Sequence, residues 1–185
     1  MAVLVSGSGT LLQAILDDQR SYRVDLVVAD VECPALDRAR TAGVRTEVVA
    51  LDGDRDEWNR RLADAVGDPD IVVSAGFMKI VGEAFLERFE GRLINTHPAL
   101  LPAFPGAHAV RDALAYGVKV TGTTVHYIDA GVDTGEIIAQ RAVDVRDGET
   151  EEDLHERIKE VERALIVDTL NRAETSTTGK VEFPA

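Results

Sequence analysis

The first 95 residues alternate short aliphatic and β-branched runs with stretches of helical periodicity, and this rhythm constrains the fold more than any other feature. Val3–Val5, Val24–Ala29, Val44–Leu51, Asp70–Ser74 and Arg92–Asn95 read as strands. Leu11–Gln19, Pro34–Ala42, Arg55–Val66 and Gly82–Phe89 read as the intervening helices, the second and third closed by Gly43 and Gly67. Strands separated by helices argue for an α/β fold with a doubly wound, mostly parallel, Rossmann-like sheet.

The second half changes character. Pro98, Pro102 and Pro105 with Gly106 make a rigid loop with few backbone donors. A helix over His108–Tyr116 is closed by Gly117. Val120–Ile128 and Ile137–Val145, joined by the loop Asp129–Gly135, read as antiparallel strands added to the sheet. Thr150–Asn171 reads as a long helix with an acidic first turn, and Gly179–Phe183 as a last edge strand. With no repeat or clear linker in 185 residues, the expectation is a single domain over 1–185.

A net charge of −13 repels phosphate backbones and anionic membranes, so nucleic acid and lipid are poor partners. An anionic small ligand then needs a local pocket that opposes the global sign. Cys33 stands alone, which excludes an internal disulfide and suggests a reducing compartment. It reads as a small buried residue. Met1–Val5 is too short for a signal peptide, and no apolar run approaches the roughly 20 residues of a membrane helix. A cytoplasmic location is expected.

The chemistry concentrates in Asn95-Thr96-His97-Pro98. Residues two apart on a strand point the same way. At the carboxyl end of a parallel strand, where open α/β sheets bind ligands, Asn95 and His97 would both face a substrate. An amide beside an imidazolium can stabilise an oxyanion, and Asp133 is the candidate to orient and charge that histidine, while on its own Asp133-Thr134-Gly135 reads as ordinary turn chemistry. Gly7-Ser8-Gly9-Thr10 follows the first strand. It lacks the third glycine of a dinucleotide fingerprint and the Gly-Lys-Ser/Thr of a P-loop. It reads as a mononucleotide-type phosphate cradle or as a tight turn with no ligand. His108 and His126 are further pocket candidates, His126 more simply as a core or wall residue, and His155 is expected to face solvent. Phe77-Met78-Lys79-Ile80-Val81 leaves the fourth strand as core filling or as a wall for a flat ring. Lys159 and Glu162 lie three apart and read, on pattern alone, as a solvated ion pair.

These motifs resemble those of the phosphoribosylglycinamide formyltransferases, a branch of the folate-dependent formyltransferases. The resemblance covers Ser6–Gly9, Ala75–Met78, Asn95–Pro102, Phe104–Gly106, His126 and Asp133–Gly135, and so spans nearly the whole chain. Asn-x-His-Pro-x-Leu-Leu-Pro with a downstream Asp is specific to the wider superfamily. The Ser-Gly-x-Gly start, and the absence of extra domains, resemble the purine-pathway branch.

The resemblance implies Asn95, His97 and Asp133 as catalytic residues. It implies Gly7, Ser8, Gly9, Thr10 and Leu11 for the phosphate of a ribonucleotide, with Glu162 at its ribose and Lys159 near the phosphate, which displaces the ion-pair reading. Phe77, Met78, Lys79, Ile80, Val81, Ile128 and Asp129 fall on the folate pocket, and the loop through Asp133 completes it. The implied co-substrate is 10-formyltetrahydrofolate, the acceptor is glycinamide ribonucleotide, no metal is needed, and the assembly is a monomer or homodimer. The family often has Ser-Asn-Leu where this chain has Thr10-Leu11-Leu12, and an Arg where it has Lys79. Lys79 keeps the charge of that Arg and loses its bidentate geometry.

Rival readings make different demands. A formyltetrahydrofolate hydrolase would carry an N-terminal regulatory domain, and a methionyl-tRNA formyltransferase an RNA-binding one; neither is expected here. A non-catalytic nucleotide-binding module would use only the glycine loop and leave Asn95, His97 and Asp133 without a role.

Overall fold

The computed structural model describes residues 1–176 and 179–184. One seven-stranded sheet runs β3-β2-β1-β4-β5-β6-β7 across the molecule. Its strands are β1 (Ala2–Val5), β2 (Leu26–Ala29), β3 (Arg45–Val48), β4 (Val72–Ser74), β5 (Leu93–His97), β6 (Val120–Tyr127) and β7 (Ile137–Asp144). The first five are parallel neighbours, and β6 and β7 add antiparallel, as expected. The chain builds outward from β1 to β3 and returns to the other side of β1 with β4. The topological switch, where such sheets open a crevice, therefore lies between β1 and β4.

Helices α1 (Thr10–Asp17), α2 (Pro34–Thr41) and α6 (Glu151–Leu170) cover one face. Leu12, Ile15, Leu36, Leu165 and Ile166 pack there against Val3, Val5, Val27, Val73, Ile94 and Val125. Helices α3 (Arg55–Val66) and α4 (Glu83–Arg88) cover the other, with Trp58, Leu62 and Phe85 against Leu4, Val28, Val72 and Leu93. Helix α5 (Ala109–Tyr116) forms a smaller cluster through Val110 with Val143, Leu154 and Ile158. Successive strand residues thus feed opposite cores, which is why the central strands carry few polar residues.

Local chemistry sets the helix starts. Asp54 accepts from the Glu57 N–H at 2.9 Å before α3, and Thr150 accepts from the Asp153 N–H at 3.1 Å before α6. The Trp58 indole donates to the Val49 carbonyl at 2.9 Å, satisfying the one polar atom of a fully buried side chain.

The end of the chain differs from the sequence expectation. Gly179–Phe183 does not extend the main sheet: Val181–Glu182 (β9) pairs with Glu174–Thr175 (β8) in a separate two-stranded ribbon. The ribbon is tied down where the Val181 N–H donates to the Gly91 carbonyl and the Tyr127 hydroxyl to the Val181 carbonyl. Among the described residues no helix is long and apolar enough to cross a membrane.

Candidate active site

Strand β5 carries its polar residues inside the sheet rather than just beyond it. It continues past Asn95 to His97 because β6 lies alongside, with Asn95 opposite His126 and His97 opposite Thr124. Alternation puts Asn95 and His97 on the Leu93 face and Thr96 on the Ile94 face.

His97 is 4% exposed. Its Nε2 lies 2.8 Å from the Phe104 carbonyl oxygen and its Nδ1 3.3 Å from Asp133 Oδ2. Both ring nitrogens thus face acceptors, a neutral carbonyl on one side and a carboxylate on the other. Asp133 sits at φ 54°, a left-handed conformation that Asp tolerates better than most residues, and its Oδ2 also accepts from the Gly106 N–H at 2.7 Å. The proline loop and the 129–135 loop therefore converge on one imidazole. The proline loop is held from below. The Thr124 hydroxyl donates to the Ala99 carbonyl (2.7 Å) and accepts from the Leu101 N–H (3.1 Å), while Gln140 Nε2 donates to the Leu101 carbonyl at 2.8 Å.

His126, a pocket candidate that the sequence read more simply as a core or wall residue, joins Asn95, His97 and Asp133. Its Nδ1 is 2.8 Å from the Tyr127 carbonyl oxygen; its Nε2 is 3.5 Å from Asn95 Nδ2 and 3.6 Å from Asp133 Oδ1. Burial holds its pKa below the ordinary imidazole value, against the pull of the Tyr127 carbonyl and Asp133.

The glycine loop closes the switch-point side. Gly9 has φ 72°, and a Cβ there would stand 2.6 Å from Ala35 Cβ and 2.7 Å from Ala35 Cα, so only glycine fits. No side chain caps α1, which leaves its first-turn N–H groups available to an anion. Gly7, Ser8 and Thr10 are exposed around this turn, and Arg38 Nε steadies it by donating to the Ser8 carbonyl at 2.8 Å. Leu11 is a different matter: its side chain is buried in the core, so only its backbone N–H can serve an anion. A groove of about 620 Å³ opens from Thr10 between α1, α2 and α6, lined by Gln13, Arg38 and Arg163.

The Phe77–Val81 segment splits its two expected roles. Phe77 stacks on Trp58 with ring centroids 6.3 Å apart, and Val81 joins the same core, whereas Met78 is 77% and Ile80 74% exposed. Ser6 Oγ accepts from the Met78 N–H at 2.8 Å, tying this segment to the glycine loop. Lys79 Nζ lies 3.3 Å from Oδ2 of the buried Asp30. Ile128 packs against the α3/α4 core, and its N–H donates to the Leu93 carbonyl at 2.9 Å. Asp129 turns to its own loop, accepting from the Gly131 N–H at 3.0 Å and the Thr134 hydroxyl at 2.7 Å.

Lys159 and Glu162 do not pair with each other. Lys159 Nζ bonds Glu156 Oε1 at 2.8 Å, and the Glu162 carboxyl lies beside the Thr96 side chain, where burial pushes its pKa up. His155 is half-buried rather than solvent-facing, and burial lowers its pKa. His108 is exposed at the start of α5, and Cys33 is buried and free just before α2. Among the described residues no three His, Cys, Asp or Glu side chains gather as a metal site.

Comparison with known proteins decides the family. Residues 1–170 match the family model described as formyl transferase. Phosphoribosylglycinamide formyltransferase of Mycobacterium tuberculosis is 55% identical over 174 residues, which cover 90% of this chain and 81% of that protein. The chain belongs to the phosphoribosylglycinamide formyltransferase family. It is a formyltransferase, 38% identical to the Escherichia coli family member over 89% of this chain and 82% of that one. The crystal structure of glycinamide ribonucleotide transformylase 1 from Symbiobacterium toebii matches at a TM-score of 0.88 and 41% identity, covering all of this chain and 93% of that one. The mixed sheet, parallel with an antiparallel addition, is thus the formyltransferase fold.

Proposed function

We propose that this formyltransferase moves the formyl group of 10-formyltetrahydrofolate to the amine of glycinamide ribonucleotide in purine biosynthesis, with Asn95, His97 and Asp133 as its catalytic residues. The observation that carries this reading is the 3.3 Å approach of His97 to Asp133 beside the end of β5, with His126 Nε2 between Asp133 (3.6 Å) and Asn95 (3.5 Å). The relatives' names point to the same reaction.

The ribonucleotide phosphate sits on the first-turn N–H groups of α1 beside Gly7, Ser8, Gly9 and Thr10, with Leu11 contributing only its backbone. Glu162, facing Thr96 on the α6 side of the sheet, accepts from ribose hydroxyls, and Lys159 approaches the phosphate by releasing Glu156. The exposed Met78 and Ile80, with Lys79, Ile128 and Asp129 around them, form the folate wall; Phe77 and Val81 support it from the core.

Attack of the neutral amine on the formyl carbon generates an oxyanion. Asn95 donates to it through its amide. His97 does so with its Nε2–H, which in the resting structure is held by the Phe104 carbonyl. Exchanging a neutral carbonyl for a developing oxyanion strengthens that hydrogen bond only as charge appears, and such differential binding lowers the barrier. Asp133 sets a carboxylate 3.3 Å from Nδ1 of the same ring. With one bridging water it also offers a path for the proton from the attacking nitrogen to the folate nitrogen, which leaves with that proton as the oxyanion collapses and the formyl carbon–folate nitrogen bond breaks.

The test is a spectrophotometric assay of folate release with and without glycinamide ribonucleotide. Release that depends on the ribonucleotide supports the transferase reading. Release without it supports a hydrolase, and nucleotide binding with no release supports a binding module. Asn95→Ala is expected to lower kcat about 10²- to 10³-fold with little change in KM. A change confined to KM would remove Asn95 from the catalytic set.

A further inference from the structure

We infer that His126 is a positioning residue: as the neutral Nδ1–H tautomer it accepts a hydrogen bond from the Asn95 amide and aims the second amide hydrogen at the reacting oxygen. The inference rests on the proposed catalytic role of Asn95.

The argument starts from the Tyr127 carbonyl. It is an acceptor only, and it lies 2.8 Å from His126 Nδ1, so Nδ1 must carry a proton. The ring is 2% exposed, an environment that disfavours a second proton. Nε2 is then left with a lone pair, and that lone pair faces Asn95 Nδ2 at 3.5 Å. Asp133 Oδ1, 3.6 Å away, cannot donate to it as a carboxylate. Asn95 is therefore the donor this nitrogen can use. If the amide flipped, it would set its carbonyl oxygen against the same lone pair.

The amide of Asn95 is thus held in one of its two orientations by a residue 31 positions away, on the antiparallel strand directly opposite. An amide NH₂ has two hydrogens. With one spent on His126, the other has a fixed direction. This is preorganisation: the donor is aimed before charge develops and need not be reoriented during reaction. An unpinned amide would present its oxygen to the developing oxyanion for part of the time.

The experiment uses steady-state kinetics of the full chain with both substrates, together with the ¹⁵N imidazole spectrum of the wild-type protein. Asn95→Ala is measured first, because a kcat that does not fall would refute the catalytic reading itself, independently of His126. His126→Leu should lower kcat about 3- to 10-fold, the size of one neutral hydrogen bond, with KM for both substrates unchanged. His126→Gln, whose amide oxygen reaches the same place, should recover most of that loss. In the Asn95→Ala background, His126→Leu should have almost no further effect, since a residue acting through Asn95 has nothing left to act on. The spectrum should show protonated Nδ1 and bare Nε2. Losses that add in the double variant, a Gln variant as poor as Leu, or a protonated Nε2 would each overturn the inference. If His126→Leu does not fold, the Gln variant and the spectrum still decide.

Discussion

Asp133→Asn separates charge from shape in this site. Asn is nearly isosteric with Asp and tolerates the left-handed backbone that residue 133 adopts at φ 54°. Its carbonyl oxygen can take the place of Oδ2 and keep the 2.7 Å bond from the Gly106 N–H. Its NH₂ would then face the lone pair of His126 Nε2, which sits 3.6 Å from Oδ1 in the native site. What disappears is the negative charge 3.3 Å from His97 Nδ1. Two unit charges at that distance attract by about 5 kcal/mol at an effective dielectric near 20. Desolvation offsets much of this, and hydrogen bonds to charged groups retain about 1.5–3 kcal/mol net. If that difference is realised in the transition state, kcat falls roughly 10- to 150-fold. The assay is ribonucleotide-dependent release of folate at saturating substrates, with thermal unfolding as a control for structure. KM should move less than about 3-fold and the unfolding midpoint by only a few degrees. An unchanged kcat would refute the reasoning, because it would mean that the charge on residue 133 plays no part in the barrier.

Two further outcomes concern Gly9 and Glu162. Gly9→Ala combines left-handed strain of about 1–2 kcal/mol with a clash against the backbone of Ala35, so thermal unfolding should show a loss of about 2–5 kcal/mol; a loss below 1 kcal/mol would mean that α2 yields easily. Glu162 has its pKa raised by burial, so the native state holds that proton more tightly than the unfolded chain does. Stability therefore falls as pH rises from the ordinary Glu value through the raised one. Glu162→Gln should be more stable than wild type at neutral pH and equal to it at acid pH, and a stability gain of the same size at both would exclude this origin.

The sequence made the parallel half of the sheet legible because its central strands are buried on both faces, so their apolar runs carry few interruptions. The end of β5 was harder to place: the expected strand stops at Asn95, and it is β6, distant in sequence, that keeps the polar Thr96 and His97 in strand conformation. Asn95 and His97 could be put on one face by alternation, and Asp133 with them by resemblance. The Asn95–His126 contact could not be read, because strand periodicity gives faces but not register between strands. The Lys159 partner was ambiguous for a simple reason: Glu156 and Glu162 each lie three residues from it. The pairing follows the favourable order with Glu N-terminal to Lys, while Glu162 is drawn to the sheet by Thr96. The two-residue strands of the C-terminal ribbon are too short to leave a periodic signal.

The pairing of β5 with β6 has a consequence for how activity relates to folding. Asn95 meets His126, and Leu101 meets Thr124, only when one alignment of these two strands is reached. Because β4 already fixes the register of β5, a slip of β6 by one residue would turn His126 toward α6 and take it away from Asn95. A chain with its parallel half folded and β6 undocked has the glycine loop and the Phe77–Val81 segment in place but lacks the Asn95–His126 and Leu101–Thr124 contacts. In a refolding experiment, turnover should return with the docking of β6, after the helices and parallel strands have recovered their spectroscopic signals, which makes the enzyme a reporter of its own final folding step.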